Sequence, residues 1–256
     1  MTPPRGRPQP RTATPRGATP VDLLAIAAHR DDVELTCGGT LAKAASAGHR
    51  VAIIDLTEGE AGTRGDAATR AAEAERAAAV LGVTVRLNAG LPDAYLVNDT
   101  AARQRVVELI RLVPPRVVIL PFPVGRHPDH RVASELARDA CYLAGLAKYD
   151  APGAPHRPYK VLYALAYRED PVKPSFVVDI TESFETKMRA VRCYGSQFDG
   201  AKAAGEIFPT GQDLYDLIRV QSAHYGSLIR RPFGEPFFCD ETIEVEDVVQ
   251  LRGASL

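Results

Sequence analysis

"VDLLAIAAHRDDVELTCGG", residues 21–39, decides the fold class of this 256-residue chain. Its first eight residues are almost all apolar, which is typical of a strand buried on both faces of a parallel sheet. Polar residues follow at once, and Gly38-Gly39-Thr40 predicts the start of a helix. The carboxyl end of the strand is therefore crowded by His29, Asp31, Asp32 and Glu34. Because like charges repel and lose hydration there, a bound metal ion would explain the crowding.

Strands and helices alternate through the first part of the chain. Further strands are predicted at 50–56, 83–87 and 116–122, and helices at 38–47, 67–81 and 100–112. This alternation predicts an α/β fold, a Rossmann-like three-layer sandwich with a mainly parallel sheet. The pattern is weaker after Gly145, where strands are predicted at 160–167 and 176–180 and helices at 182–194 and 214–227. No repeat or second core is evident, so residues 21–256 are expected to form a single domain.

Composition excludes several classes of protein. Residues 1–20 are rich in Pro and Arg and lack an apolar stretch, so they are expected to be a disordered tail. The net charge of −1 argues against a nucleic-acid partner, and no apolar run reaches the roughly 18 residues of a membrane span. The four cysteines are scattered and no signal peptide is recognisable, which predicts reduced thiols in a cytoplasmic protein. Cys37 is expected to be a small buried thiol.

Three polar loops, 29–34, 57–66 and 125–130, follow predicted strands at the edge of the sheet where ligands bind. His29 and Asp32, spaced H-x-x-D, and a histidine of "RHPDH" together supply two imidazoles and a carboxylate. Three such ligands leave positions open for water and substrate, as in catalytic zinc sites, and they also suit iron(II). His130 is the candidate third ligand, although spacing alone does not separate it from His127.

The remaining polar residues of these loops suggest acid–base chemistry. Asp31 is not needed as a ligand and could accept a proton from water at the metal; the alternative is a loop cap. Glu34 is expected to cap the following turn. Asp129 could hold an imidazole of "RHPDH" protonated and oriented, which would make that histidine an acid for expelling an amine. His224, beside Tyr225, has the position of a helix-surface histidine.

Long segments of the chain resemble the LmbE-like (PIG-L) family of zinc-dependent N-acetylglucosamine deacetylases. They are "AHRDDVELTCGGTLAKAASAGHRVAIIDLTEGEAGTRG", "LGV…LNAGLPDAYL" and "RHPDHRVASELARDACYLAGL". The resemblance runs from about residue 21 to the C-terminus. Two later segments, "SFVVDITESFETKMRAVRCYGSQF" and "IRVQSAHYGSLIRRPFGEPF", resemble the bacillithiol biosynthesis deacetylases, which remove acetate from N-acetylglucosaminyl-malate.

The resemblance implies a role for each motif residue. It implies zinc bound by His29, Asp32 and His130, with Asp31 as the base. It implies that His127, oriented by Asp129, is the acid or stabilises the intermediate, and that His224 lies near the scissile carbonyl. A small aminosugar substrate and a homo-oligomer are also implied.

Arginines near the loops are candidates for binding the substrate. Arg64 and Arg70 look like residues that meet it, and a guanidinium suits the carboxylates of malate. Arg70 is the first choice, because the N-terminus of its predicted helix also favours anions. Where the family usually reads HPDD, this chain has Arg30, which is expected to add a cation beside the metal site.

Other functions remain open on the sequence alone. Within the same family, the substrate could be another N-acetylglucosamine conjugate or a thiol S-conjugate. An iron(II) oxygenase would use the same ligand types. A nucleotide-binding protein could use Gly38-Gly39 at a helix N-terminus, but the chain has no GxGxxG motif and the aspartates would repel a pyrophosphate.

Overall fold

The computed structural model describes residues 18–165, 172–199 and 213–250, and seven strands within them form one sheet. The strands are β1 (Val21–Ala27), β2 (Val51–Thr57), β3 (Val85–Leu91), β4 (Pro115–Pro121), β5 (Lys160–Ala164), β6 (Phe176–Asp179) and β7 (Gly234–Phe238). Their order is β3-β2-β1-β4-β5-β7-β6. The first five in this order pair in parallel, whereas β7 is antiparallel to both of its neighbours. The predicted mainly parallel sheet is confirmed.

Helices cover both faces of the sheet. They are α1 (Asp32–Ser46), α2 (Ala67–Leu81), α3 (Thr100–Leu112), α4 (Pro128–Ala144), α5 (Phe184–Val191), α6 (Gly195–Phe198) and α7 (Leu214–Leu228). On β1, Leu24 and Ile26 join the core beneath α3 and α4, while Ala25 and Ala27 face α1. Successive side chains of a strand point to opposite faces, so the apolar run of β1 fills two cores and the three-layer arrangement is confirmed. Among the described residues, no helix has both the length and the apolarity needed to cross a membrane.

The C-terminal half departs from the sequence prediction. The prediction omits α4 and also omits β7, whose Pro236 argues against a strand in the interior of a sheet. The predicted helix at 182–194 is shorter, because α5 ends at Val191. Two sequence predictions lie partly outside the described residues. They are the tail, of which residues 1–17 are not described, and the last two residues of the strand predicted at 160–167.

Helix α1 begins at Asp32, six residues before the predicted start at Gly38. The glycine pair therefore lies inside the helix and has a packing role. A Cβ on Gly39 would lie 2.8 Å from Cδ1 of Ile180, so any side chain there would force Ile180 to move. Because of the earlier start, Asp32 and Glu34 lie in the first turn of α1, where the helix dipole favours negative charge.

A kink divides α1 at Cys37, whose backbone is not helical (φ −139°, ψ 15°). The carboxylate of Glu235 on β7 accepts hydrogen bonds from the backbone N–H groups of Gly39 (2.9 Å) and Thr40 (2.6 Å). Lys187 of α5 donates to the same carboxylate at 2.7 Å, and both charged side chains are fully buried. Glu235 thus acts on the second half of α1 as an N-cap residue does.

We expect Glu235→Ala to lower the free energy of unfolding by about 3–5 kcal/mol, because it leaves the Lys187 ammonium buried without its partner. Urea unfolding followed by circular dichroism measures the change. A matched double variant, Lys187→Met with Glu235→Gln, removes both charges and keeps an acceptor for Gly39, so it should recover most of the loss. Wild-type stability in Glu235→Ala would show that the ion pair does not hold the kink.

Candidate active site

A cavity of about 490 Å³ lies at the carboxyl edge of the parallel strands, where the sequence predicts the ligand site. The loop after β1 and the start of α1 contribute His29, Asp31 and Asp32 to its lining. The loops after β2, β3 and β4 add further polar side chains, namely Arg64, Asp93, Arg126 and His127. The lining also includes apolar residues, among them Val33, Leu35, Ile119, Phe122 and Phe198.

Three potential metal ligands converge in this cavity. Nδ1 of His29 lies 3.3 Å from Oδ2 of Asp32. Nε2 of His130 lies 3.3 Å from Nδ1 of His29 and 3.1 Å from Oδ1 of Asp32. A tetrahedral zinc with bonds of about 2.0–2.1 Å holds its ligand atoms about 3.3 Å apart. The spacing of the two ring nitrogens matches this value, and Asp32 faces the two rings through different oxygens, so the donor set fits such an ion.

Asp93 is a residue of the site that sequence reasoning missed. Its Oδ1 lies 3.0 Å from Nε2 of His29, the ring nitrogen that does not face Asp32. Its Oδ2 accepts a hydrogen bond from the backbone N–H of Ala61, at 3.0 Å. Metal-binding histidines commonly bond a carboxylate through their second nitrogen, which fixes the tautomer and the ring orientation. The available signal was an aspartate just beyond a strand, at the same edge of the sheet.

The carboxylates give the cavity a field that favours cations. Burial alone would lower the pKa of His29, but the neighbouring carboxylates, chiefly Asp32 and then Asp93, raise it to about 11. The pKa of His130 is raised by Asp32 in the same way, against its burial. Burial would raise the pKa of Asp32, but the two histidines hold it well below its usual range. Positive charge is therefore strongly stabilised where the three donors meet.

His127 and Asp129 are close together, but their contact differs from the predicted one. His127 precedes α4 as its N-cap, and its Nδ1 accepts a hydrogen bond from the backbone N–H of Asp129 at 3.2 Å. The Asp129 carboxylate instead accepts from the backbone N–H of Ala94 at 2.9 Å and lies 3.5 Å from Nε2 of His29. The proton of a neutral His127 ring is then on Nε2.

His127 and Asp129 also form a second group with His29 that could hold a metal. Nε2 of His29 is the atom of that residue nearest Asp129, and it already contacts Asp93. The group of His29, Asp32 and His130 uses the other nitrogen of His29 and leaves the Asp93 contact intact.

Asp31 occupies the N-cap position of α1, yet its side chain makes no capping hydrogen bond. The carboxylate lines the cavity, and its Oδ1 lies 3.6 Å from Nη2 of Arg70. Burial and the adjacent Asp32 raise the pKa of Asp31, while Arg70 lowers it. The structure thus places a carboxylate that is not used for capping beside the three converging donors.

The arginines differ in how they contribute to the site. Arg70 is 5% exposed and donates to the carbonyl of Gly59 at 2.7 Å, so it also supports the loop after β2. Arg64 lines the cavity and donates to the carbonyl of Gln197 at 3.0 Å. Arg30, which is expected to add a cation beside the metal site, is not among the residues that line the cavity. It is buried and donates to the carbonyl of Ala67.

Three further residues lie outside the converging donors, and one of them, Cys37, is the small buried thiol that the sequence predicts. His224 is exposed on α7 and is not among the residues that line the cavity. Glu34 is fully buried and pairs with Arg86 instead of capping a turn. Cys37 borders the cavity as a buried free thiol, and burial raises its pKa.

The chain is similar in sequence to known deacetylases. The family model of PIG-L, described as GlcNAc-PI de-N-acetylase, matches residues 24–141. The diacetylchitobiose deacetylase of Thermococcus kodakarensis is 29% identical over 232 residues, which cover 83% of this chain and 80% of that protein. The uncharacterized deacetylase YaiS of Escherichia coli is 34% identical over 139 residues, or 51% of this chain and 74% of that protein.

A solved structure has the same fold as this chain and is similar to it in sequence. The conserved protein TT1542 from Thermus thermophilus superposes with a TM-score of 0.81 at 35% identity, over 91% of this chain and 100% of that one. The match to the family model includes most of β1, the three converging donors and most of α4. The chain belongs to the PIG-L family of deacetylases, which are hydrolytic enzymes.

Proposed function

We propose that this protein is a metal-dependent hydrolase that removes the N-acetyl group from an N-acetylglucosamine conjugate. The observation that carries the proposal is the convergence of His29, Asp32 and His130 in a cavity, with the Asp31 carboxylate beside them. The family and the diacetylchitobiose deacetylase relative support the choice of substrate class.

The three converging residues would hold the metal, with Zn²⁺ as the first candidate and Fe²⁺ as the alternative. Two imidazoles and one carboxylate are the ligand types of catalytic zinc sites, and the 3.3 Å between the two ring nitrogens fits a tetrahedral ion. When bound, the metal would polarise the amide carbonyl and lower the pKa of water. Asp93 would keep His29 in the required tautomer.

Asp31 is the general base of the proposed mechanism. Its carboxylate is partly buried at the cavity wall and is not used for capping, so it can accept the proton of the attacking water. Arg70, with Nη2 3.6 Å from the carboxylate, would help to hold it in place. A base held in this way does not have to reorganise during the reaction.

His127 would stabilise the carbonyl of the reacting amide by a hydrogen bond. Its Nδ1 accepts a hydrogen bond from the backbone N–H of Asp129, so the proton of the neutral ring is on Nε2 and can form a hydrogen bond with the oxygen of the reacting carbonyl. The proton that Asp31 accepts from water would pass to the departing amine. Asp129 acts through this backbone contact and through its carboxylate near His29. His224 is exposed and is not among the residues that line the cavity, so the proposed mechanism does not use it. Its role near the scissile carbonyl stays a prediction.

The aglycone of the substrate is the finer part of the proposal. The resemblance to bacillithiol biosynthesis deacetylases favours N-acetylglucosaminyl-malate, and Arg64, Arg70 and Arg126 border the cavity where a dianion would need cations. Diacetylchitobiose, the substrate in the name of the archaeal relative, is the neutral alternative. A thiol S-conjugate is a further candidate within the family. The cytoplasmic location and a homo-oligomeric state stay predictions.

We expect His29→Ala, Asp32→Ala and His130→Ala each to lose bound metal together with activity, because each removes one of three ligands. Metal content after dialysis, measured by mass spectrometry, checks this. His127→Ala is the matched control, since it removes a neighbouring histidine and should retain the metal. Full occupancy in any of the first three variants would remove that residue from the ligand set.

Asp31→Asn should keep the metal while kcat falls by about 10²-fold or more, which is the loss expected for a general base. The amide has nearly the same shape as the carboxylate and cannot accept the proton. Steady-state kinetics on the metal-loaded variant measures the effect. Unchanged kcat would restrict Asp31 to a structural role.

Acetate release from N-acetylglucosaminyl-malate, N-acetylglucosaminyl-inositol, diacetylchitobiose and free N-acetylglucosamine tests the substrate class. If malate is the aglycone, Arg64→Ala should raise KM for that substrate about tenfold to a hundredfold more than for diacetylchitobiose, because a charge-assisted bond is lost. Arg70→Ala should impair both substrates equally, since Arg70 supports Gly59 and Asp31. An equal effect of Arg64→Ala on both substrates would argue against malate.

A further inference from the structure

Arg86 on β3 lies beneath the proposed metal centre with every donor group satisfied. Its Nε and Nη2 make a two-point contact with the Asp55 carboxylate at 2.8 and 2.9 Å. Its Nη1 donates to Glu34 at 2.6 Å and to the carbonyl of Ala74 at 3.2 Å. The fifth donor, on Nη2, bonds the carbonyl of Arg30. One side chain thus joins β2, α1 and α2 to the loop after β1.

The Arg30 carbonyl receives a second donor from another direction. The hydroxyl of Tyr194, a fully buried side chain, contacts both this carbonyl and Oε1 of Glu34. The carbonyl belongs to the peptide group that joins Arg30 to Asp31. Fixing its direction therefore fixes the backbone between His29 on one side and Asp31 on the other.

We propose that Arg86, helped by the Tyr194 hydroxyl, is a positioning residue: by fixing the Arg30 carbonyl it sets the geometry of the metal-binding loop, residues 29–32. Neither side chain lines the cavity, so neither contacts the substrate. A lysine at position 86 would keep the charge but has three donors instead of five and no planar fork. Its effect would therefore report geometry and not charge.

The chain offers a matched control in Arg111 of α3. This arginine is also buried, and it donates to four backbone carbonyls, those of Ala144, Leu146, Tyr149 and Ala151. It lies near the end of α3, next to the start of β4, at the edge of the sheet opposite the cavity. Arg111→Lys should reproduce the general cost of losing a buried arginine without disturbing the loop.

The first experiment measures the Kd for Zn²⁺ by chelator competition, and the thermal midpoint, in Arg86→Lys and Arg111→Lys. Both variants should unfold at lower temperature. Arg86→Lys should raise the Kd about tenfold to a hundredfold, the loss typical when a partner that orients metal ligands is removed. Arg111→Lys should leave the Kd unchanged. A second measurement uses steady-state kinetics, and it alone rests on the proposed function. With the substrate proposed above, Arg86→Lys should lower kcat and leave KM nearly unchanged.

A milder pair of variants decides the question if Arg86→Lys does not fold. Tyr194→Phe removes only the hydroxyl and should raise the Kd for Zn²⁺ about twofold to tenfold, as expected for one hydrogen bond. Tyr163→Phe removes a hydroxyl that bonds Asp240 at 3.3 Å, away from the loop, and should leave the Kd unchanged.

Two results would overturn the inference. One is wild-type metal affinity in Tyr194→Phe together with wild-type affinity in any folded Arg86→Lys protein. The other is an equal loss of affinity in the control variants, which would indicate a general loss of stability. Wild-type protein that binds Zn²⁺ but releases acetate from no substrate would contradict the proposed function alone, because the Kd comparison does not depend on turnover.

Discussion

Balance of charge at the carboxyl edge of β1 is the constraint on which the site depends. Asp31, Asp32 and Asp93 line the cavity, and Glu34 and Asp55 lie buried beneath them. The lower pair shares the guanidinium of Arg86, although burial still raises the pKa of Glu34 to about 7. The charge of the three cavity aspartates is offset by Arg70 and by the two histidines His29 and His130. The raised pKa values of these histidines favour their protonated forms. A divalent cation would replace those protons.

The sequence was sufficient for the features that depend on neighbouring residues. The apolar run of β1 and the alternation of strands and helices specify a parallel sheet, and a parallel sheet places its ligand loops at one edge. The H-x-x-D spacing of His29 and Asp32 is local as well. These features required no knowledge of which distant residues come into contact.

Features that depend on distant contacts could not be predicted. His29 contacts Asp93 across 64 positions, and the Arg30 carbonyl contacts Arg86 across 56. In the sequence, Arg86 is an ordinary polar residue of a mixed strand, and nothing near it shows that its side chain will be buried. The glycine pair was misleading for a related reason. Gly38-Gly39 is typical of a helix N-terminus, whereas Gly39 is required by the approach of Ile180, a residue of a distant segment.

The contact between Glu235 and α1 links the two ends of the chain, because it joins residues 196 positions apart. The helix that carries Asp32 receives its internal cap from a strand near the end of the described chain, and that strand is synthesised long after the helix. A nascent chain that has emerged only through β4 therefore has the first βαβ units but lacks the carboxylate for Gly39 and Thr40. Contacts of such large sequence separation slow folding. The second half of α1 thus receives its cap only after β7 has been synthesised.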